Sequence, residues 1–274
     1  MIKVAICGSC GKMGRLVVRE VSKQRDMKVV AAIEAPNTPY LGQDVGEIAG
    51  VGKLDVLVVG AERLEEVLKQ TKPDVMVDFT TADAAVQNIK TAAKQGISIV
   101  VGTTGFSPAQ RDEIRDAIRE RGIRALIAPN MSVGVNVFFK MVEEAAKLLG
   151  KEYDVEIVEI HHSQKIDSPS GTALRAAEII AEAMGHDKEV IKCGRAAGKQ
   201  PRAKGEIFVH SVRAGDVVGE HIVIFAAPGE RVEIVHRAHS RETFAAGVIR
   251  AIRHVLSMGK PGEIQDMRDV LGLR

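Results

Sequence analysis

A glycine-rich heptapeptide, Gly8-Ser9-Cys10-Gly11-Lys12-Met13-Gly14, constrains this chain most. It lies between a β-branched apolar run, Ile2–Cys7, and a helical pattern over Met13–Lys23. Glycines at such a junction let the chain turn tightly, bring backbone N–H groups against a pyrophosphate and pack the helix close to the strand. The spacing is G-x-x-G-x-x-G rather than G-x-G-x-x-G, and a tight turn without a ligand is the alternative reading. Glu34 favours the ligand reading. It ends the next strand candidate 20 residues after Gly14, where an acid accepts the hydroxyls of an adenosine ribose. Ala35 and Pro36 follow, without an Arg to meet a 2′-phosphate, which favours NADH. Lys12 and Arg15 still supply positive charge, so NADPH stays open. Cys7 and Cys10 form a C-x-x-C pair, but one is placed to be buried at a strand end and the other in the glycine loop. Cys193 alone completes no zinc cluster, and no metal is expected.

Further strand candidates at Lys28–Ile33, Val75–Phe79, Ile97–Val101 and Arg124–Ile127 alternate with helical patterns at Arg63–Lys69, Ala82–Lys94 and Pro108–Arg121. Continuous apolar strands separated by amphipathic helices predict a parallel α/β sheet covered on both faces. After about residue 130 the rhythm changes. A helix over Val135–Leu149, a strand over Val155–Ile160 and a helix over Thr172–Met184 lead to Ile207–Arg213, His221–Phe225 and Val232–Ala238. No helical pattern separates these last runs, which predicts a smaller α+β domain with a mixed or antiparallel sheet. The segment 192–205, with its glycines and basic residues Lys192, Arg195, Lys199, Arg202 and Lys204, reads as a mobile solvated loop. A last helix is expected over Arg241–Leu256.

Two more loops follow strand candidates, Gly102-Thr103-Thr104-Gly105 and Ala128-Pro129-Asn130-Met131-Ser132. Ligands of open α/β sheets bind at the carboxyl ends of strands, so both are candidates to line a cofactor pocket, with turns and helix caps as the alternative. The densest chemistry lies in Glu159-Ile160-His161-His162-Ser163-Gln164-Lys165-Ile166-Asp167-Ser168-Pro169-Ser170-Gly171-Thr172. Basic His161, His162 and Lys165 attract carboxylates, and a helix starting at Ser170, Gly171 and Thr172 offers N–H groups to an anion. A Lys or His beside a reducible carbon–nitrogen bond also delivers a proton. On a regular strand His161 and His162 face opposite ways, so at least one is expected in the loop. His210, His221, His236 and His239 read as structural or partly exposed.

Charge and composition exclude several classes. Lys and Arg number 38 against 36 Asp and Glu, a net charge of +2, too little for a nucleic-acid binder relying on bulk charge. With no Trp, two Tyr and seven Phe, an aromatic stacking platform is not expected. Three cysteines make no disulfide framework and fit a reducing compartment. No segment reads as a secretory signal or a membrane span, so a cytoplasmic setting without membrane contact is expected.

These motifs resemble the dihydrodipicolinate reductases of the diaminopimelate route to lysine. The resemblance covers nearly the whole chain: the glycine loop, Asp78-Phe79-Thr80, both strand-end loops, and Ser132-Val133-Gly134-Val135-Asn136. Most specific is Glu159 through Ala173, against E-[LI]-H-H-x-x-K-x-D-x-P-S-G-T-A. Ser211 through Gly215, Gly219-Glu220-His221 and Asp266 through Gly272 complete it. The resemblance implies a Rossmann-type cofactor domain over 1–131, completed by 241–274, and a substrate-binding and oligomerisation domain over 132–240 whose sheet builds a homotetramer. It implies hydride transfer from NADH or NADPH to a small cyclic dicarboxylate, with loss of water. By position, His161 matches the acid/base and Lys165 the proton donor. His162, Ser170, Gly171 and Thr172 fall at the substrate. Gly8, Ser9, Cys10, Gly11, Lys12, Met13, Glu34, Gly102, Thr103, Thr104, Ala128, Pro129, Asn130 and Met131 fall at the cofactor. Lys12 stands where Arg is common, Ala35 where Arg often follows the acid, and Phe208 where Gly is frequent. Another oxidoreductase of amino or keto acids, such as an aspartate dehydrogenase-like enzyme, would keep the glycine loop without needing the polar cluster. A non-catalytic NAD(H) sensor would bind dinucleotide without turnover.

Overall fold

The apolar runs near the N-terminus become parallel strands buried on both faces. A computed structural model describes residues 1–273 and divides the chain into two units, Met1–Val133 with the segment from Glu242 onward, and Gly134–Arg241. In the first unit β1 (Ile2–Cys7), α1 (Lys12–Ser22), β2 (Met27–Glu34), α2 (Val45–Ala49), β3 (Val58–Gly60) and α3 (Leu64–Thr71) follow one another. Then come β4 (Val75–Asp78), α4 (Ala82–Lys94), β5 (Ser98–Val101), α5 (Pro108–Arg121) and β6 (Ala125–Ile127). The strands lie in the order β3-β2-β1-β4-β5-β6, all parallel. The order reverses direction between β1 and β4, the switch point beside which α/β sheets bind ligands.

Side-chain alternation sorts each strand between two cores. Val4, Ile6, Val75, Val77, Val100 and Leu126 enter one with Val17, Val18 and Val21 of α1. Ala5, Cys7, Met76, Ile99, Val101 and Ala125 enter the other with Leu68, Ile89, Ile114 and Ile118 of the helices opposite. A two-sided core explains why these strands read as unbroken apolar runs. Helix α5 is set by local signals: Ser107 and Gln110 form a reciprocal capping box, and Gly122 ends the helix at φ 60°. The short α2 and β3 had no counterpart in the sequence reading. Asp44 organises them, its buried carboxylate accepting the N–H groups of Gly46, Glu47, Leu54 and Val56 at 2.8–3.3 Å.

In the second unit α6 (Val133–Leu149) leads to β7 (Asp154–His161), α7 (Gly171–Ala183), β8 (Ile191–Cys193), β9 (Ile207–Arg213), β10 (Gly219–Ala227) and β11 (Glu230–Ala238). The order is β11-β10-β7-β9-β8. Strand β10 runs antiparallel to β7 and β11, while β7, β9 and β8 are mutually parallel, so the sheet is mixed. One face is covered: Val155, Ile157, Val209, Val223 and Phe225 pack on Phe138 and Val142 of α6 and on Ala176, Ala177 and Ile180 of α7. The other face carries Val158, Ile160, Ile222 and Ile224, partly exposed, and Val235, exposed.

The segment 192–205 is largely exposed and without regular structure after Cys193, as expected of a solvated loop, but two of its arginines are pinned. It begins inside β8, and Arg195 lies 3.8 Å over the ring of Phe208, which itself stacks on His210. Arg195 and Arg202 both bond Glu156 on β7. Glu156 and Asp154, remote in sequence, supply the counter-charge that composition alone did not reveal.

The chain then returns to the first unit. Helix α8 (Glu242–Ser257) sends Val248, Ile252 and Val255 into the core shared with α1, β12 (Ile264–Gln265) pairs parallel with β6, and α9 (Met267–Leu271) follows. Thus seven parallel strands form the first sheet.

Candidate active site

In the first unit, the glycine loop owes its shape to what a side chain would strike. Gly8 has φ +74°, and a Cβ there would stand 2.7 Å from the carbonyl oxygen of Phe79. A Cβ on Gly14 would lie 2.0 Å from the Gly8 carbonyl oxygen, so only glycine lets α1 start this close to the turn. Gly102 is similarly closed by the ring of Phe79, at 2.1 Å. Within the loop, Gly8 and Ser9 donate N–H to the Ile33 carbonyl at 2.9 and 3.1 Å, and the Ser9 hydroxyl is bonded there as well. Helix α1 has Gly11 at its N-cap and no side-chain cap, so no capping side chain takes up the N–H groups at the positive end of the helix dipole.

Glu34 is tied to this loop. One carboxylate oxygen accepts the Cys10 N–H at 2.8 Å and the other the Ala35 N–H at 3.0 Å, which fixes the acid beside the turn. Arg15 is held too, donating to the Cys10 carbonyl at 2.7 Å and lying 4.9 Å over the Tyr40 ring. Cys7 and Cys10 are both buried, and burial pushes the Cys7 thiol well above its ordinary value, so neither is a poised thiolate. No group of three or more metal-ligating side chains occurs among the described residues.

A buried carboxylate that sequence reasoning left without a role fastens the neighbouring loops. Asp78, at the end of β4, accepts from the Thr80 and Thr103 hydroxyls at 2.7 and 2.8 Å and from the Asn88 amide at 2.8 Å. Thr103 is thereby turned inward, while Thr104 is exposed. Of the last loop, Ala128 and Met131 are buried, Pro129 is exposed, and Asn130 accepts the Ser132 N–H at 3.0 Å. The Met131 side chain belongs to the core, and its backbone lies so close to α8 that a Cβ on Gly247 would stand 1.8 Å from its carbonyl oxygen.

In the second unit the polar cluster converges at the end of β7. His161 is the last strand residue and is buried, whereas His162 lies in the loop and is partly exposed, as the facing argument requires. Lys165 folds back on the same loop, its ammonium 2.7 and 2.8 Å from the two oxygens of Asp167. Ser170 caps α7, accepting the Ala173 N–H at 3.1 Å, and its hydroxyl also meets His221 Nε2 at 3.0 Å. Gly171 and Thr172 open the helix, with space around the Gly171 Cα.

The centre of the cluster is Glu159, fully buried on β7. It contacts His161 Nδ1 at 2.5 Å, both terminal nitrogens of Arg213 at 2.8 Å and the Ser170 N–H at 3.1 Å. Burial alone would raise its pKa, but donation from Arg213, His161, Ser211 and Ser170 outweighs it and holds the carboxyl at about 2. Desolvation dominates at His161 and lowers its pKa, with Glu159 opposing and Lys165 and Arg213 adding to the shift. His221, its ring centroid 5.2 Å from that of His161, is driven by burial and by two neighbouring histidines to about 3. Arg213 and His221 were not singled out as site residues. Each is placed by cross-strand pairing, since Glu159 faces Ser211 on β9 and His221 on β10, and sequence spacing does not reveal that register. Arg241, also unforeseen, brings Nη2 to 3.4 Å from His162 Nε2.

Comparison with known proteins accounts for both halves. The N-terminal model of dihydrodipicolinate reductase matches residues 2–131 and the C-terminal model matches 134–271. The chain belongs to the dihydrodipicolinate reductase family. It is 54% identical over 274 residues to the 4-hydroxy-tetrahydrodipicolinate reductase of Methanothermobacter thermautotrophicus, covering all of both chains. It is 52% identical over 273 residues to the enzyme of that name from Methanocaldococcus jannaschii, covering 100% of this chain and 98% of the other. Among solved structures, the dipicolinate-bound dihydrodipicolinate reductase from Paenisporosarcina sp. TG-14 superposes with a TM-score of 0.75 at 27% identity, over 98% of each chain. The family settles the choice left open above between this reductase, another amino- or keto-acid dehydrogenase and a sensor. No helix among the described residues is long and apolar enough to cross a membrane.

Proposed function

We propose that the chain reduces 4-hydroxy-tetrahydrodipicolinate to tetrahydrodipicolinate with loss of water, using NADH or NADPH, in the diaminopimelate route to lysine. The observation that carries this is the assembly of His161, Lys165 and the α7 N-terminus around one buried carboxylate, in a chain of this family.

The glycine loop fits a dinucleotide: its close approaches exclude side chains, and the uncapped start of α1 suits a pyrophosphate. Gly8 through Met13 would hold the phosphates, Glu34 the adenosine ribose, and the loops at Gly102–Thr104 and Ala128–Met131 the rest of the cofactor. When bound, the reduced nicotinamide supplies the hydride. Glu34 followed by exposed Ala35 favours NADH, and Lys12 and Arg15 leave NADPH accepted.

In the second unit, His162, Lys165 and the Ser170–Thr172 helix start would hold the two carboxylates of the cyclic substrate. The Ser170 hydroxyl is occupied by the cap and by His221 and its N–H by Glu159, so its share falls to the Gly171 and Thr172 backbone. Addition of hydride leaves an electron-rich ring carbon, which Lys165 or His161 neutralises with a proton. Hydride and proton enter and water departs, so the step balances. Neutral His161, its Nδ1 directed to Glu159, keeps Nε2 to accept or relay that proton.

The half-exposed aliphatic face of the second sheet supports assembly through this sheet into a homotetramer, because contiguous apolar surface of this kind marks an interface. Ile222→Lys should shift the molar mass measured by light scattering from four chains toward one. Three free cysteines are consistent with a cytoplasmic setting.

The deciding experiment generates substrate in situ from pyruvate and aspartate semialdehyde with the preceding synthase, then follows loss of NADH or NADPH absorbance. Synthase-dependent turnover supports the reading. Dinucleotide binding without turnover removes it.

A further inference from the structure

Glu159 has no part in the acid–base roles above, yet the site is built on it. A carboxylate this buried is costly unless every lone pair is used. Here each oxygen receives at least two donors, with the Ser211 hydroxyl a further one. One takes His161 Nδ1 and Arg213 Nη1; the other takes Arg213 Nη2 and the Ser170 N–H. Arg213 in turn donates to the Asp167 carbonyl at 2.6 Å, and Asp167 carries Lys165. One acid therefore reaches the imidazole, the helix start and, through Arg213, the lysine loop.

We propose that Glu159 is the positioning residue of this reductase: it fixes His161 in the Nδ1–H tautomer and locks the ring and the α7 N-terminus in one geometry. This rests on the reductase reading. A carboxylate surrounded by donors has no proton to give, so the proton of the contact belongs to His161 Nδ1, and Nε2 keeps its lone pair. The ring is confined from its other side as well. Nε2 lies against Gly219, where a Cβ would stand 2.9 Å away. The charged and titratable groups facing His161 are Glu159 on its own strand, Arg213 from β9, Lys165 from the loop and His221 from β10. Of these, Glu159 alone is anionic.

The test is Glu159→Gln in the full chain, read first without substrate by 15N NMR of the His161 ring. The expected result is loss of the single Nδ1–H tautomer and an imidazole titration moved to lower pH, since the carboxylate that raises it is gone. With substrate, kcat falls roughly 10- to 100-fold, by analogy with carboxylates that orient metal-bound histidines, while KM for the dinucleotide stays within about twofold. Glu159→Asp, which restores the charge, recovers most of the titration. An unchanged tautomer with kcat within about threefold of the unaltered chain overturns the proposal. If Glu159→Gln does not fold, Gly219→Ala displaces the ring with Glu159 intact. A similar loss of kcat at unchanged dinucleotide affinity supports the proposal, and unaltered kcat overturns it. The tautomer is measured on the protein alone. An unaltered chain that holds the tautomer but never turns over substrate overturns the reductase reading instead.

Discussion

The two units build their candidate sites from opposite materials. In the first, backbone does the work: three glycines in the opening loop, a helix start without a side-chain cap, and the carboxyl ends of parallel strands. In the second, side chains do it: a carboxylate, two histidines, an arginine and a lysine, brought together from β7, β9, β10 and one loop. The helix starts show the same contrast. Helix α1 leaves its first-turn N–H groups uncapped, whereas α7 is capped by Ser170, which is itself held by Glu159 and His221. A backbone site tolerates a range of side chains but no Cβ at its close approaches. A side-chain site depends on charge and on proton location, and it fails when either changes.

Four measurements would break or sharpen that contrast. The largest effect is expected in the second unit: Lys165→Ala and His161→Ala should each lower turnover by about 10³-fold, within the usual range for losing a general acid or base. Dinucleotide affinity, followed by fluorescence titration, should hardly move. Near-normal turnover in both variants would remove the assigned chemistry. Next is Gly14→Ala. Its Cβ falls 2.0 Å from the Gly8 carbonyl oxygen, so α1 must shift and dinucleotide binding should weaken by about 10²-fold. Calorimetry showing tight binding in that variant would refute the cradle. Smaller is Ala35→Arg, which places a guanidinium beside Glu34 and should raise kcat/KM for NADPH over NADH by about tenfold. No change in the ratio would place discrimination elsewhere.

The smallest effect is on the acid side of the stability profile. His221 is held neutral, at about 3, whereas an unfolded histidine titrates near ~6.5. The unfolded chain therefore binds more protons as pH falls through that interval, and stability declines with it. Glu159 acts in the same sense lower down. Its folded value of about 2 lies below the ~4.3 of an unfolded glutamate, so its contribution is present above that value and lost as pH falls toward 2. Denaturant midpoints measured at stepped pH should decline first through the histidine window and then the carboxylate window. His221→Gln should flatten the first part only. An unchanged slope in that variant would show that His221 is not the titrating group.

Much of the fold is legible in the sequence. The ranges Ile2–Cys7, Ala82–Lys94, Pro108–Arg121 and Ile207–Arg213 agree with the structure to the residue. Strong periodicity, a capping box and flanking glycines are local signals, and local signals are what a sequence displays. The elements not foreseen are short: α2, β3, β8, β12 and α9. Helix α2 spans five residues and is organised by an aspartate that also binds backbone ten and twelve residues away. The three residues of β8 find their place by pairing with β9. Arg202 looked solvated because its partners, Glu156 and Asp154, lie more than 40 residues earlier.

The sequence by itself determined the α/β class, the phosphate-loop candidate and the polar run proposed to carry the chemistry. It did so because glycine positions, strand-to-helix order and contiguous polar motifs are all written along one dimension. Only the tertiary structure decided which groups touch. The pairing of β7 with β9 and β10 sets Glu159 between Ser211 and His221, and brings Arg213, 54 residues away, onto its carboxylate. Strand register is a property of chain segments meeting in space. Through it the fold, rather than the motif, brings Arg213 and His221 to the carboxylate and imidazole that the motif itself carries.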